Sequence, residues 1–422
     1  MDIGTKIHKL AEDLWGYNRS ITGDGVRKTL YKIKETLSDL NIYEVPSGTK
    51  VFDWEIPEEW NVSDAYIITP SGEKICDFKE NNLHLVGYSI PINLEMTLEE
   101  LQQYLYSDVN HIDAIPYVTS YFEKRWGFCI SHEMRSKLTE GLYKVVINSE
   151  LKKGSMTYAD IIIPGKSDKE VLISTYICHP SMANNELSGP VISSFIAQWL
   201  EKENYLNYSY RFVFAPETIG SIFYINKNLQ TLKSNVIAGF NLTCIGDERA
   251  YSYLQSRNGN TLSDKIALHV LKWTNKNFKS YSWSERGSSE RQYCSPGIDL
   301  PMVTLCRSKF GEYSEYHTSK DDLVNVVTAK GLGESFLLIK KCIEAVENNI
   351  YFKASNLCEP NLGKRGLYPT LSIKNSYQNT KLMMDILTYA DGQHTLFDIA
   401  EICNVPIWEL YEIKRVLEDN DL

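Results

Sequence analysis

One stretch of the sequence reads Val171-Leu-Ile-Ser-Thr-Tyr-Ile-Cys-His179-Pro-Ser-Met-Ala-Asn-Asn-Glu-Leu-Ser-Gly189. It begins as an unbroken apolar and β-branched run, which is typical of a strand buried on both faces of a parallel sheet. His179 stands where this strand should end, and a polar loop with Asn185 and Glu186 precedes a helical pattern. Ligands of open α/β sheets bind beyond the carboxyl ends of the strands. The stretch therefore predicts an α/β fold with a candidate site at His179, although an ordinary hydrogen-bonded histidine and a helix-start glutamate would read the same way.

Further strand patterns follow along the chain. Residues 208–215 form a second apolar run that leads into Glu217, and residues 236–245 form a third. Glu290 precedes another apolar run that ends at Leu305, and His317 follows it. Glu217 therefore falls at the carboxyl end of a predicted strand, as His179 does.

The order of these motifs resembles the zinc aminopeptidase family that also contains the glutaminyl cyclases. The matching segments are His179-Pro-Ser181, Ala183-Asn-Asn-Glu-Leu-Ser-Gly189, Glu217-Thr218 ahead of Gly220-Ser221, Asn241-Leu-Thr243, Ser289-Glu-Arg291 ahead of Gly297-Ile298, and Tyr316-His-Thr-Ser-Lys-Asp321. They occur in the family's order over roughly the middle half of the chain, and the ordered series is more specific than any one motif.

Three other segments resemble a bacterial branch of aminopeptidase-like proteins of unassigned function that is often associated with polysaccharide-biosynthesis loci. They are Arg19-Ser-Ile-Thr-Gly-Asp-Gly-Val-Arg27, Arg257-Asn-Gly-Asn-Thr261 and Gly363-Lys-Arg-Gly-Leu-Tyr-Pro369. This resemblance covers nearly the whole chain. It implies an α/β fold with a three-layer, zinc-peptidase-like mixed sheet and helices on both faces, together with an inserted β-rich domain and a C-terminal winged helix.

The domain organisation follows from the resemblance and from changes in sequence texture. Residues 1–50 and 136–350 are predicted to form a discontinuous aminopeptidase-like catalytic domain, residues 51–135 an inserted β-rich domain, and residues 351–422 a linker and winged helix. Strand patterns compatible with the main sheet resume at residues 142–147 and 156–164. Residues 395–402 and 407–417 show helix-turn-helix organisation around Pro406.

Composition and charge argue against some classes of function. The net charge of −10 argues against a general nucleic-acid binder. The second helix of the helix-turn-helix has no basic stripe, because three glutamates accompany Lys414 and Arg415; docking of a protein partner or self-association is expected of it rather than DNA binding. Nine cysteines without a Cys-x-x-Cys pair, no apolar signal region and no membrane-spanning run predict a cytoplasmic protein that does not bind membranes.

The resemblance also implies roles for individual residues. His179, Asn185, Glu186 and His317 are the predicted metal ligands, with Asn185 at the position of the family's metal-bridging Asp and Glu186 supplying the charge one residue later. Glu217 aligns with the general base, and Glu290 is expected to bind a substrate amine or to orient a ligand.

Departures from the family pattern limit the metal content. They are Ser181 for the Asp that orients the first histidine, Thr218 and Thr243 for two carboxylate ligands, and Arg291 for the motif His. These changes argue against two metal ions and predict one zinc. Cys178 is expected to point away from His179 and to serve in packing, because successive residues of a strand face opposite sides.

The predicted function is a mononuclear zinc hydrolase of the aminopeptidase type. It would cleave an N-terminal peptide bond or a related amide in a small peptide or amide-bearing substrate, and the branch resemblance suggests an amino-sugar or glycan precursor. A catalytically degenerate peptidase-like scaffold with a winged-helix docking module is the alternative. A DNA-binding regulator is a third reading, which the acidic composition of the winged helix disfavours.

Overall fold

The structure, a computed structural model, describes residues 1–368 and 378–422. Residues 369–377, which fall within the segment predicted as linker and winged helix, lie outside the described residues. The chain divides into two compact units, the first comprising residues 1–265 and 277–337 and the second residues 266–276 and 338–422. The predicted boundaries at residues 50, 135 and 350 stay predictions.

The strands of the described residues, in chain order, are β1 (Asn41–Pro46), β2 (Lys50–Val51), β3 (Trp54–Glu55), β4 (Glu59–Ile68), β5 (Lys74–Ile75), β6 (Ile92–Thr97), β7 (Leu105–Tyr106), β8 (Phe128–Cys129), β9 (Leu142–Lys152), β10 (Ser155–Ile163), β11 (Glu170–Tyr176), β12 (Ser209–Ala215), β13 (Val236–Leu242), β14 (Ser252–Leu254), β15 (Lys279–Tyr281), β16 (Met302–Cys306), β17 (Tyr351–Lys353) and β18 (Asp391–Thr395). The α-helices are α1 (Ile3–Trp15), α2 (Asp24–Lys34), α3 (Leu98–Gln102), α4 (His132–Ser136), α5 (Ser188–Leu200), α6 (Ile219–Asn235), α7 (Leu262–Thr274), α8 (Glu290–Tyr293), α9 (Ala329–Glu347), α10 (Gln378–Tyr389), α11 (Leu396–Cys403) and α12 (Trp408–Glu418).

The main sheet of the first unit has eight strands in the order β1-β10-β12-β11-β13-β16-β14-β15. Strands β12, β11, β13 and β16 run parallel to one another, whereas β1 and β10 pair antiparallel with their neighbours. Strand β14 pairs antiparallel with β16 and parallel with β15. Every residue of β11 is buried, as expected for a strand in the middle of a sheet that is covered on both faces. The predicted α/β fold with a mixed sheet is confirmed.

A smaller sheet has the order β5-β4-β9-β6 and is antiparallel throughout. The prediction that residues 142–147 join the main sheet is wrong, since they belong to β9, which pairs with β4 and β6. Exposed and buried residues alternate at the start of β9, which is typical of a sheet with one face in solvent. The following strand, β10, does enter the main sheet, as predicted.

The second unit contains α10, α11, α12 and the antiparallel pair β17–β18. Thr395 and Asp398 form a reciprocal capping box at the start of α11, which satisfies backbone N–H groups that the helix leaves free. Asn404 ends α11 in the left-handed conformation with φ 50°, and α12 follows. The helix-turn-helix predicted here is therefore present. Of the described helices, none combines the length and apolar content needed to cross a membrane.

Candidate active site

His179 and Glu217 meet at one edge of the main sheet. They follow β11 and β12, which are parallel and pair with Tyr176 opposite Ala215. The carboxyl ends of both strands therefore lie side by side. Nε2 of His179 is 3.9 Å from Oε2 of Glu217, and the Glu217 side chain keeps 22% of its surface exposed.

The other ring nitrogen of His179 faces Glu186. Nδ1 of His179 lies 3.1 Å from Oε2 of Glu186, and Oε1 of Glu186 lies 3.3 Å from Nε of the fully buried Arg19. Arg19 also donates from Nε to the backbone carbonyl of His179 at 3.0 Å. Two buried charges and one backbone contact thus fix the imidazole from one side, which is how protein sites orient a histidine whose second nitrogen acts on something else.

A π-helical turn, Ala183–Leu187, places Glu186 in this position. The N–H of Leu187 donates to the carbonyl of Met182 at 3.3 Å, a wider loop than an α-helix makes. Single π-helical turns of this kind occur frequently at functional sites.

His317 completes the cluster from a distant loop. The centroid of its ring lies 5.6 Å from that of His179, and its backbone carbonyl accepts a hydrogen bond from the N–H of Tyr117 at 2.8 Å. Its Nε2 is buried without a hydrogen-bond partner. Burial, together with the nearby His179, lowers the pKa of His317 to about 3. The ring is therefore neutral near pH 7, the form in which imidazole binds a metal.

Asp321 ties the two loops together. Its buried carboxylate accepts hydrogen bonds from the N–H groups of Asn184 at 2.7 Å and Asn185 at 2.9 Å, and from the hydroxyl of Tyr313 at 2.9 Å. Burial raises the pKa of Asp321 to about 6. The sequence motif contained this residue, but only its three contacts identify it as the group that holds the π-helical turn against the loop of His317.

Asn185 is buried beside the histidines and is engaged through its oxygen. The hydroxyl of Tyr176 donates to Oδ1 of Asn185 at 2.7 Å and lies 2.6 Å from the hydroxyl of Thr243. Nδ2 of Asn185 has no partner. Asn185, Tyr176 and Thr243 thus form a hydrogen-bonded group where the family pattern has carboxylate ligands.

Glu290 is fully buried and accepts four hydrogen bonds. Its Oε1 accepts from the N–H groups of Gly287 at 2.8 Å and Ser288 at 3.0 Å, and its Oε2 accepts from Asn241 Nδ2 and the Thr304 hydroxyl, both at 3.2 Å. These contacts join the 287–290 loop to strands β13 and β16. They position the start of α8, which carries Arg291.

Cys178 belongs to the cluster, although the sequence argument placed it elsewhere. Its Sγ lies 3.5 Å from Nδ1 of His179 and accepts a hydrogen bond from the N–H of Glu217 at 3.2 Å. The prediction that Cys178 points away from His179 is wrong because β11 ends at Tyr176, so strand alternation does not extend to Cys178. Burial raises the pKa of this thiol, although His179 opposes the rise.

Two sets of donor atoms could hold a metal ion. Among the described residues, one group of His, Cys, Asp or Glu side chains has ligand atoms all within 4.8 Å of one another, and it consists of Cys178, His179 and Glu186. An ion held there would lie close to the buried guanidinium of Arg19 and would need the thiolate of a buried cysteine. Repulsion between the cation and the Arg19 guanidinium disfavours this arrangement, and so does the cost of ionising the buried Cys178 thiol.

The second set consists of Nε2 of His179 and Nε2 of His317. Two imidazoles on one tetrahedral ion, with metal–nitrogen distances of about 2.1 Å, place their ring centroids about 5 Å apart, close to the 5.6 Å observed. Burial opposes protonation of His179, but Cys178, Tyr117 and Glu186 outweigh it and raise its pKa well above 6.5. A metal would therefore displace a proton from this ring. The Nε2 of His317, which has no partner, and the carboxylate-supported ring of His179 could therefore supply two of the three protein ligands that a catalytic zinc usually takes.

A cavity of about 290 Å³ adjoins the cluster at Cys178 and Glu217. Cys178, Glu217 and Arg291 contribute polar groups to it, and Trp54 and Phe122 contribute aromatic ones. An Nη2 of Arg291 donates to the hydroxyl of Thr218 at 2.8 Å. Burial raises the pKa of Glu217, while the positive charges of His179 and Arg291 oppose the rise.

Comparison with known proteins places the chain in a family. The family model described as "Domain of unknown function (DUF4910)" matches residues 8–349. The chain belongs to the DUF4910 family. A winged helix-turn-helix model matches residues 349–422, which confirms the predicted C-terminal winged helix.

A relative from Clostridium acetobutylicum is 43% identical over 401 residues, covering 94% of this DUF4910 chain and 91% of the relative. Its name assigns it provisionally to polysaccharide biosynthesis, with an aminopeptidase-like domain. A crystal structure from the same organism, named provisionally as a peptidase, has a TM-score of 0.92 at 41% identity and covers 99% of this chain and 95% of its own. The predicted resemblance to the aminopeptidase-like branch is confirmed.

A zinc aminopeptidase from Bacillus subtilis has a TM-score of 0.59 at 13% identity, covering 81% of this chain and 94% of its own. At this identity the likeness shows the fold alone. The first unit of the DUF4910 chain thus has the aminopeptidase-like fold.

Proposed function

We propose that this protein is a metal-dependent hydrolase of the aminopeptidase type that cleaves an N-terminal peptide bond or a related amide. The proposal depends on one observation, the Glu217 carboxylate that lies 3.9 Å from Nε2 of His179 and lines the cavity. The fold and the aminopeptidase-like domain in the relative's name support it.

One zinc ion held by His179 and His317 would lower the pKa of a bound water and polarise the substrate carbonyl. Glu186 and Arg19 hold the His179 ring in place, so that its Nε2 faces Glu217. Glu186 was predicted as a ligand, but its contacts favour this orienting role. Asn185, also predicted as a ligand, is hydrogen-bonded to Tyr176 and would supply no charge to an ion.

Glu217 is the proposed general base and general acid of the reaction. Its carboxylate accepts a proton from the attacking water, whose oxygen bonds to the amide carbon; the carbon–nitrogen bond then breaks, and the proton passes to the leaving nitrogen. The products are a carboxylic acid and an amine. Burial raises the pKa of Glu217 above the ordinary value of a glutamate, which makes its carboxylate a better proton acceptor than an exposed one.

One ion rather than two is supported by the neutral groups at the former ligand positions. Thr243 and Asn185 hydrogen-bond to Tyr176, and Thr218 accepts from Arg291. None of these side chains carries the negative charge that a second dication would need. Glu290 is proposed to act by positioning the start of α8, which carries Arg291, rather than by direct contact with substrate.

An amino-sugar or glycan precursor is the proposed substrate class, since the relative's name refers to polysaccharide biosynthesis. The C-terminal unit is proposed to dock a protein partner or a second copy. In α12, Lys414 pairs with Glu418 and Arg415 with Glu412, so its basic groups are already neutralised and offer little to a duplex. All nine cysteines are free, which suits a reducing cytoplasm.

Zinc content and hydrolysis together test the proposal. Purified protein should hold about one zinc per chain, and His179→Ala and His317→Ala should each abolish both the zinc and the hydrolysis of a panel of aminoacyl and N-acyl substrates. His394→Ala, an exposed histidine of the second unit, is the matched control and should change neither. Protein without zinc and without activity on any panel member would end the proposal.

A further inference from the structure

Exposed aromatic side chains gather around the Glu217 cavity. Phe52, Trp54 and Phe122 are the most exposed Phe and Trp residues that the structure describes, at 63%, 37% and 61%. Most rings of this kind are buried in a folded protein, and exposed ones that cluster mark a binding surface. These three lie in the β2–β3 hairpin and in the loop that follows Tyr117.

Two smaller hollows adjoin the Glu217 cavity through shared side chains. A hollow of about 160 Å³ shares Trp54 and Gln292 with it, and one of about 170 Å³ shares Tyr121 and Phe122. Trp54 and Phe122 therefore lie where these two hollows meet the Glu217 cavity. The rings of Trp54 and Phe122 contact each other edge to face, with centroids 6.0 Å apart.

The adjoining hollows also carry hydrogen-bonding side chains. Asp53 and Ser295 line the first, and Glu58 and Lys124 line the second. A pyranose ring has an apolar face and a rim of hydroxyl groups, so aromatic faces beside carboxylate, hydroxyl and ammonium groups match it on both counts. The adjoining hollows also leave room for more than one sugar unit beside Glu217.

We propose that this cleft binds an N-acylated amino-sugar chain, in which sugar rings next to the unit presented to Glu217 stack against the aromatic surface formed by Trp54 and Phe122. The inference rests on the proposed function, because the amide of such a chain is its N-acyl group. The water oxygen bonds to the acyl carbon, the bond to the sugar nitrogen breaks, and the proton passes to that nitrogen. A carboxylic acid leaves, and the chain keeps a free amine.

Binding tests the cleft without relying on turnover. The probes are N-acetylglucosamine oligomers from the monosaccharide to the hexasaccharide, titrated calorimetrically into full-length protein carrying Glu217→Gln. Affinity should rise with length up to the trisaccharide. Adding Trp54→Ala or Phe122→Ala should weaken trisaccharide binding about tenfold, the loss of one aromatic contact, whereas Trp54→Phe should retain most of it.

Tyr31→Ala is the matched control, an aromatic of 60% exposure on α2, and should leave binding unchanged. Equal affinity for the monosaccharide and the trisaccharide would overturn the proposal, as would a length-dependent gain that survives both alanine changes. If alanine peptides, rather than the sugar oligomers, bind more tightly as their length increases, the cleft is a peptide-binding site. If the protein holds no zinc and hydrolyses no substrate but still binds longer oligomers more tightly, the proposed function is wrong and the cleft is a glycan-binding site.

Discussion

Nε2 of His179 lies 3.9 Å from Oε2 of Glu217, at the ends of two parallel strands that pair side by side. On the opposite side of the ring, Nδ1 lies 3.1 Å from Oε2 of Glu186. His179 is thus held between two carboxylates, one buried against Arg19 and one facing the cavity. This asymmetry separates the residue that fixes the ring from the residue that can exchange protons with a substrate.

The Glu217→Gln variant should lose hydrolysis while keeping its zinc. The amide keeps the size of the side chain but cannot accept the proton from water, so the rate should fall by about 10²–10⁴-fold. Steady-state kinetics and metal analysis of the same preparation measure both. Glu203→Gln, at an exposed position after α5, is the control and should match wild type. Unchanged turnover in Glu217→Gln would show that the base is another residue.

The Glu186→Gln variant distinguishes an orienting residue from a ligand. If Glu186 only orients His179, zinc affinity should fall by about 10–100-fold and saturating zinc should restore occupancy. The change also leaves the buried Arg19 without its anion, so thermal stability should drop. Competition with a chelator dye measures the affinity. Complete loss of zinc at saturating concentration would return Glu186 to the role of ligand.

The Asp321→Asn variant should be less stable. An amide NH2 group replaces one carboxylate oxygen, so a hydrogen-bond donor would face a donor of the protein. Losing one or two of its three hydrogen bonds should lower the free energy of unfolding by about 1–3 kcal/mol, measured by urea titration. Asp168→Asn, at an exposed loop position, should stay within about 0.5 kcal/mol of wild type.

Asp321 also predicts a pH dependence. Its folded pKa of about 6 lies above its ordinary value of 3.8, so the folded state binds the proton more tightly. The contribution of Asp321 to stability should therefore decline as pH rises from 3.8 to about 6, and Asp321→Asn should lack this decline. A variant whose stability follows the wild-type pH profile through that window would contradict the assignment.

His269 should make the second unit less stable in acid. Its Nε2 accepts the N–H of Ile407 at 3.0 Å, while its Nδ1 pairs with Glu401. Burial lowers the pKa of His269 below 6.5, although Glu401 opposes the shift. The unfolded chain therefore binds the proton first, and stability should fall as pH drops below 6.5.

Hydrogen exchange measures this effect locally. Relative to its intrinsic rate, the amide of Ile407 should lose protection below pH 6.5, since a protonated ring cannot accept its hydrogen bond. The amide of Leu410, on the next turn of α12, is the internal comparison. Equal protection of Ile407 across this range would show that the ring stays neutral or that the bond is dispensable.

Several parts of the site could be predicted from the sequence. The apolar run of β11 and the strand before Glu217 place both polar residues at the same sheet edge, because parallel strands end on the same side. The motif order added His317, and the structure brings its ring within 5.6 Å of His179. These residues follow directly from periodicity and motif order.

Other parts depended on geometry that no local pattern encodes. The direction of the Glu186 side chain follows from the π-helical turn, and its partner Arg19 comes from the start of the chain. Cys178 faces His179 because the strand stops earlier than its apolar run suggests. The loop and hairpin that carry Phe122 and Trp54 have no periodicity that would place them beside Glu217.

The sequence by itself determined the α/β sheet, the helix-turn-helix and the sheet edge at which His179 and Glu217 lie, because burial imposes a repeating pattern on strands and helices. Only the tertiary structure decided which group each side chain faces. A hydrogen bond depends on distances of a fraction of an ångström between residues far apart in sequence, and such distances are set by packing of the whole unit rather than by any segment of it.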